Sequence, residues 1–354
     1  MKQENYVLAS LKTIKKEPSP RGMTSREIVT RAIEFSSPPR VPYYFLFHPS
    51  AADLVFLGPI GVYPAPRPAK LKTGDTYFDE WGVGWTVTGR YWDKATGHPL
   101  ANLKNLEDYR FPDYAKKIRQ IAPLARLGNL AGKYVLGLNP IGMFERIRSL
   151  MGFEEMMVAP YTQPDAYHKL LGKLADLTIE SIRVYHSIGG FHGFESAEDW
   201  GLQNSLQMKI DMFREFYKPY YKKIIDACHE LGMHYFWHNC GYIVDMFPDL
   251  IELGVDVLQL DQPRLIGHQK LIECLGGKIC MWNTVDVQWC ASNEVTDDDI
   301  REEVLTMLKT YDPINHKGGY IAKHYPQPWD INLSAEKQML IYQTFMDSGF
   351  CSLK

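Results

Sequence analysis

The stretch Leu231-Gly232-Met233-His234-Tyr235-Phe236-Trp237-His238-Asn239-Cys240-Gly241-Tyr242-Ile243 decides the reading of this chain. A glycine closes a helix-like segment, an apolar run follows, and a second helix-like segment opens near Ile243, as in the repeating unit of a parallel sheet. The polar residues sit at the far end of the run. His238 and Cys240, two residues apart, put an imidazole and a thiolate on the same side of an extended chain, where they can share one borderline-soft cation, zinc first. A competing reading makes Cys240 a small buried hydrophobe and His238 a hydrogen-bonded core residue, and for an isolated His-x-Cys it is the better one.

The pattern around that stretch repeats. Strand-like runs are expected at 40–47, 134–138, 191–194, 234–237, 255–260, 278–282 and 319–322, with helices at 165–188, 210–231, 243–253 and 297–309. The last helix opens with Thr296-Asp297-Asp298-Asp299, which supplies an N-cap and acidic groups where the helix dipole is positive. Gly190, Gly232, Gly254 and Gly277 precede strands as helix caps do. This alternation predicts an α/β chain, a parallel sheet covered by helices, and its regularity in the second half favours a barrel. Residues 58–114, rich in Pro, Gly, Trp and Tyr, break the alternation and are expected to form a lid-like insertion. Residues 1–23 read as an N-terminal extension before one barrel domain, 24–354.

Bulk properties exclude several classes. The 354 residues, 45% hydrophobic and 23% charged, can bury a large core. A net charge of −3 and a pI near 6.4 provide no basic surface for nucleic acid or anionic lipid. No apolar run has the roughly 20 residues of a membrane helix, and residues 1–22 lack a signal-peptide core, so a cytoplasmic location is expected. Six cysteines without framework spacing fit free thiols in a reducing compartment.

The polar residues gather at the C-terminal ends of the expected strands. In order come Asn139, Glu195 with Asp199 and Trp200, His238 to Cys240, Asp261 with Gln262, Asn283 with Asp286, and His324 with Tyr325. In a βα barrel those ends converge on one mouth, where active sites are built. Asp261, Asn283 and Asp286 read equally well as helix caps or pocket groups. Glu195 has no helix directly after it, which favours a pocket role.

Fragments along most of the chain carry a resemblance. Arg40-Val41-Pro42, Asp79-Glu80-Trp81-Gly82, His98-Pro99-Leu100, Phe111-Pro112-Asp113, Glu198-Asp199-Trp200-Gly201-Leu202-Gln203, Lys218-Pro219-Tyr220, His238-Asn239-Cys240-Gly241, Gly254 to Leu258 and Gly318-Gly319-Tyr320-Ile321 follow in one order. The chain resembles the uroporphyrinogen decarboxylase superfamily, and more closely its corrinoid-dependent methyltransferase branch. The resemblance implies a (β/α)8 TIM barrel with the pocket at its C-terminal face and, as in some members, pairing of barrels into a homodimer. The decarboxylases hold their polycarboxylate substrate with an Arg-rich segment after the first strand. Here that place reads Tyr44-Phe45-Leu46-Phe47-His48-Pro49-Ser50, with no Arg.

The methyltransferase branch places zinc on a His-x-Cys pair and a later Cys, and His238 and Cys240 match the first two. No Cys lies between Cys290 and Cys351, so His324 or Glu195 is expected as a further ligand, with Asp199 ranked behind them. Two thiolates suit activation of a bound thiol, whereas a single thiolate leaves zinc a stronger Lewis acid toward an ether oxygen. Expected roles are therefore catalytic for Glu195, Asp199 and Asn239, and substrate-binding for His48, Trp200, Gln203, Asp261, Gln262, Asn283 and Tyr325. The aromatic residues Tyr43, Tyr44, Phe45, Trp81, Trp85, Trp92, Trp200, Trp237 and Trp282 suit a flat aryl substrate, although Trp237 and Trp282 read better as core. The activity implied is transfer of a methyl group from a small methoxylated, aromatic compound to the cobalt(I) of a corrinoid. The sequence has no Asp-x-His-x-x-Gly cobalamin motif, which places the corrinoid on a separate protein. Alternatives are methyl transfer from a methylcorrinoid to a thiol or folate, a decarboxylase, and a non-catalytic metabolite-binding barrel.

Overall fold

The structure is a computed structural model that describes residues 22–45, 52–59, 67–68, 70–89, 93–325 and 328–349. His48, Trp92, Cys351 and all but the last two residues of the expected extension lie outside the described residues. The chain forms β1 (Tyr43–Tyr44), β2 (Leu54–Leu57), β3 (Thr76–Phe78), β4 (Gly84–Thr86), β5 (Lys94–Gly97), β6 (Tyr134–Leu138), β7 (Gly193–Glu198), β8 (His234–Asn239), β9 (Val257–Leu260), β10 (Cys280–Asn283) and β11 (Tyr320–Lys323).

Eight of these strands pair in parallel in the order β1-β11-β10-β9-β8-β7-β6-β2. The first and last lie side by side without a regular ladder. Asp53 N–H donates to Tyr43 O at 2.7 Å, and the buried Arg40 guanidinium grips both Asp53 oxygens at 2.7 and 2.9 Å, so a backbone contact and a buried ion pair together join this seam where the regular ladder lapses. The expected α/β TIM barrel is therefore present.

Alternation along the strands separates two cores. Tyr44, Leu54, Tyr134, Leu136, Phe236, Val257, Cys280, Trp282 and Ile321 pack together inside the barrel. The residues between them, such as Val135, Phe194, Tyr235, Trp237, Leu258 and Met281, join the larger core beneath the helices. The helix expected at 165–188 spans Pro164–Ile188, and the one expected at 297–309 is Asp297–Tyr311 with a capping box between Thr296 and Asp299. That expected at 210–231 runs from Ile210 to Glu230 through a π turn at Phe213–Tyr217.

One strand escapes a reading by periodicity. β2 is only four residues long, too short for either length or alternation to mark it. In the 58–114 segment, β3, β4 and β5 form a small antiparallel sheet. It packs on helix Met143–Met151. The buried Arg146 guanidinium lies 4.2 Å from the Trp81 ring centroid and 3.8 Å from Asp79 Oδ2, and the Leu100 N–H donates to Leu150 O at 2.9 Å.

Candidate metal centre

Three donor atoms converge at the carboxyl ends of β7 and β8. His238 Nε2 lies 3.5 Å from Cys240 Sγ and 3.5 Å from Asp199 Oδ1, and the three donors fall within 4.8 Å of one another. A tetrahedral zinc with bonds of about 2.0 to 2.3 Å separates its ligands by about 3.3 to 3.8 Å. Two edges of that tetrahedron thus have the required length. Among the described residues, no other trio of His, Cys, Asp or Glu donors comes together this way.

Local sequence explains the convergence. β7 and β8 are neighbours with Ala197 opposite His238, so the segments leaving them start side by side. Gly201 and Gly241 let these segments touch. The Gly201 N–H donates to Cys240 O at 3.2 Å and the Tyr242 N–H to Leu202 O at 2.7 Å. A Cβ on Gly201 would stand 2.5 Å from Cys240 O, and Gly241, at φ +79°, would carry its Cβ 2.5 Å from the Gly201 carbonyl carbon. Side chains complete the join. Asn239 Oδ1 accepts from the Trp200 N–H at 2.9 Å, Gln262 Oε1 from the Gly241 N–H at 3.1 Å, and Asp199 Oδ1 from the Cys240 N–H at 3.2 Å.

A line of polar groups leads from this cluster across the barrel interior. His238 Nδ1 is hydrogen-bonded to Gln259 Oε1, Gln259 Nε2 donates to Asp261 Oδ1 at 2.7 Å, and Lys323 Nζ donates to the same oxygen at 3.0 Å. Burial would raise the Asp261 pKa, but the charges of Lys323 and His238, with the hydrogen bonds from Lys323 and Gln259, together outweigh it and hold the carboxyl below its usual value. Glu195 is pushed up to about 7 by burial, against the opposing charges of His238 and Lys323, and its Oε2 has no hydrogen-bond partner among the described residues. Burial lowers the His238 pKa, yet the nearby Cys240 and Asp199 outweigh it and raise it overall. Burial pushes the Cys240 thiol up to about 11. A bound dication would reverse that preference and hold the sulfur as thiolate.

The expected site residues separate into groups. His238 and Cys240 lie together, and the third converging donor is Asp199, the one ranked last. Glu195 and His324 do not join the cluster. Glu195 is paired with Phe236, deeper along β7, and His324 is held on the β1 side of the barrel, where its Nδ1 bonds Tyr44 O at 2.7 Å. Burial lowers the His324 pKa to about 3.

Asn239 and Gln262 brace the loops, and Asp261 belongs to the interior line. Trp200 is fully buried against Phe144, Phe213 and Tyr217 behind the site, which is a core position and not a substrate surface. Asn283 is also turned away. Its Oδ1 accepts from the Leu260 N–H at 2.9 Å and its Nδ2 donates to the Tyr311 hydroxyl at 3.2 Å. Asp286 caps helix Val287–Cys290 through the Gln288 and Trp289 N–H groups, the helix-cap alternative of its two readings. Gln203 is exposed on the loop after β7, and Tyr325 is half-buried after β11. Trp237 packs on Tyr221 in the helix-side core, and Trp282 on Tyr44 and Phe236 inside the barrel.

Sequence reasoning missed Gln259, Lys323 and Glu145. The signal for the first two was present, since each is the lone polar residue in an apolar strand. Glu145, on helix Met143–Met151, is raised to about 7 by burial and by the charge of Asp199. Only the fold brings that helix to the site.

Comparison with known proteins agrees with this architecture. The uroporphyrinogen decarboxylase (URO-D) family model matches residues 100–324. No curated protein sequence matches the chain. Among solved structures, a methyltransferase from Methanosarcina mazei superposes with a TM-score of 0.63 at 15% identity, over 89% of this chain and 98% of that one. A D-psicose 3-epimerase bound to D-fructose and the xylanase XynB from Paenibacillus barcinonensis each reach 0.39, at 9% and 10% identity, over 66% and 62% of this chain and 85% and 79% of theirs. Those two scores support no argument. The family match spans well over half of the sequence and ends at His324, at the mouth of the barrel just described, and the chain belongs to the uroporphyrinogen decarboxylase family.

Proposed function

We propose that this barrel is a zinc-dependent methyltransferase that moves a methyl group from a small methoxylated, aromatic compound to the cobalt(I) of a separate corrinoid protein in the cytoplasm. The observation that carries the proposal is the convergence of Asp199, His238 and Cys240 at the carboxyl ends of the strands. The donor set suits zinc, with a nitrogen at tetrahedral spacing from one sulfur and one oxygen. Zinc held there would act as a Lewis acid that polarises the ether oxygen of the substrate. The fold shared with the Methanosarcina mazei methyltransferase supports the reaction class.

The chain's own residues have separate tasks in this reading. Asp199, His238 and Cys240 hold the cation, and Asn239 and Gln262 keep their loops in register. Glu195, raised to about 7 by burial, is poised between its protonated and ionised forms near neutral pH and, when protonated, can supply a proton to the oxygen that leaves as the methyl group departs. Gln203 and Tyr325 are the proposed substrate contacts, and the corrinoid protein docks over the barrel mouth.

Metal analysis of the purified protein is expected to show about one zinc per chain, lost in His238→Ala and Cys240→Ala. The same wild-type preparation is expected to methylate cob(I)alamin from a methoxyaryl donor, followed by the visible spectrum of the cobalt. Full zinc occupancy in both variants would remove the metal site. Methylation of coenzyme M or tetrahydrofolate by methylcobalamin, with no reaction of methoxyaryl compounds, would reverse the assigned direction.

A further inference from the structure

We propose that Lys323, Asp261 and Gln259 form a positioning relay that fixes the His238 ring with Nε2 directed at Asp199 and Cys240. The inference rests on the metal reading of the site and adds three residues to it, none of which supplies a converging donor atom.

The argument follows from what each group can donate or accept. Lys323 is a donor only, so its contact with Asp261 Oδ1 at 3.0 Å calls for a carboxylate. An ionised carboxylate accepts only, so the Gln259 group 2.7 Å from the same oxygen has to be the amide nitrogen. That choice turns Gln259 Oε1 toward His238. A carbonyl oxygen accepts only, so His238 Nδ1 has to carry a proton and donate it. The nitrogen left to bind a cation is Nε2, which is the one 3.5 Å from both Cys240 Sγ and Asp199 Oδ1. The orientation is thus set by a charge two residues removed from the imidazole.

Burial makes the order durable. Gln259 is 1% exposed, and Asp261 and Lys323 are each 7% exposed. The three come from β9, the residue just beyond it, and β11, with β10 between. Lys323 Nζ also lies 5.5 Å from the Trp282 ring centroid. If Lys323 were removed and Asp261 took up a proton, its hydroxyl could donate to the Gln259 oxygen. The amide could then turn and present its nitrogen to His238, which would reverse the ring's pattern.

The test uses the full chain, labelled with 15N-histidine, and compares wild type with Gln259→Met and Gln259→Glu. Methionine is close in shape and is at most a weak acceptor for Nδ1–H, whereas a carboxylate is a strong one. The wild type and Gln259→Glu are expected to show a solvent-protected His238 Nδ1 proton without added metal, and Gln259→Met is expected to lose it at unchanged far-UV circular dichroism. With zinc alone as ligand, competition against a chelator is expected to show affinity about 10- to 100-fold weaker in Gln259→Met, the usual effect of removing a ligand's hydrogen-bond partner. Lys323→Met is expected to weaken zinc binding in the same direction. Retention of the protected proton and of zinc affinity in Gln259→Met overturns the relay. Loss of the proton in Gln259→Met, with no zinc uptake by any of the proteins, upholds the orientation and removes the metal reading instead.

Discussion

Gly201 and Gly241 cross with room for no side chain on either. A Cβ at one would stand 2.5 Å from the backbone of the other's segment, and Gly241 has φ +79°. Alanine at 241 is therefore expected to cost about 1–3 kcal/mol through overpacking and backbone strain. Because the crossing holds Asp199 beside Cys240, Gly241→Ala is also expected to lower zinc content. Thermal unfolding with metal analysis checks both, and a variant as stable and as rich in zinc as the wild type would deny the crossing its role.

The third ligand can be identified by three substitutions. Asp199→Ala is expected to weaken zinc binding by at least about 100-fold, more than loss of an outer partner costs. His324→Ala and Glu195→Gln are expected to bind zinc as the wild type does. Chelator competition distinguishes them, and the reverse order would restore the ligand set suggested by sequence alone.

Burial holds the His192 pKa down to about 4, helped by the Arg26 guanidinium, and the Val135 N–H donates to its Nδ1 at 2.9 Å. The folded state thus keeps the ring neutral where the unfolded chain, near 6.5, takes up a proton. The unfolded state binds more protons between those values, so stability is present above about pH 6.5 and falls as pH drops toward 4. His192→Asn can keep an acceptor for Val135 without titrating. Its urea midpoint is expected to fall less between pH 7 and pH 5 than that of the wild type, and parallel falls would contradict the assignment.

Glu198 caps the helix beside the site. Its two oxygens accept from the Met143 and Phe144 N–H groups at 2.8 Å each, and the Ser196 hydroxyl donates to it at 2.9 Å. Glu198→Ala leaves these three buried donors without their acceptor and is expected to cost about 2–5 kcal/mol, whereas Glu198→Gln keeps one acceptor and is expected to cost less. Urea titration of both gives the comparison. Equal stability of the alanine variant and the wild type would show that other acceptors replace the carboxylate.

Much of the barrel was legible because its signals are local. The helix at Asp297–Tyr311 is announced by Thr296 and Asp299, and Tyr134–Leu138 by an apolar run between polar flanks. β2 was not legible, since its four residues are too few to establish a period. The His238 and Cys240 pair was legible because both donors sit on one short extended segment, where alternation alone puts them on the same side.

The amino-acid sequence by itself determined the alternation of strands and helices, the ends at which polar residues gather, and the two donors that lie two residues apart. Only the tertiary structure decided that Asp199 meets them while Glu195 and His324 stay apart, and that Gln259, Asp261 and Lys323 stand in line behind His238. The physical reason is distance along the chain. Asp199 reaches Cys240 across 41 residues and Lys323 reaches Asp261 across 62, so these contacts depend on which strands are neighbours and on a glycine crossing that admits no side chain.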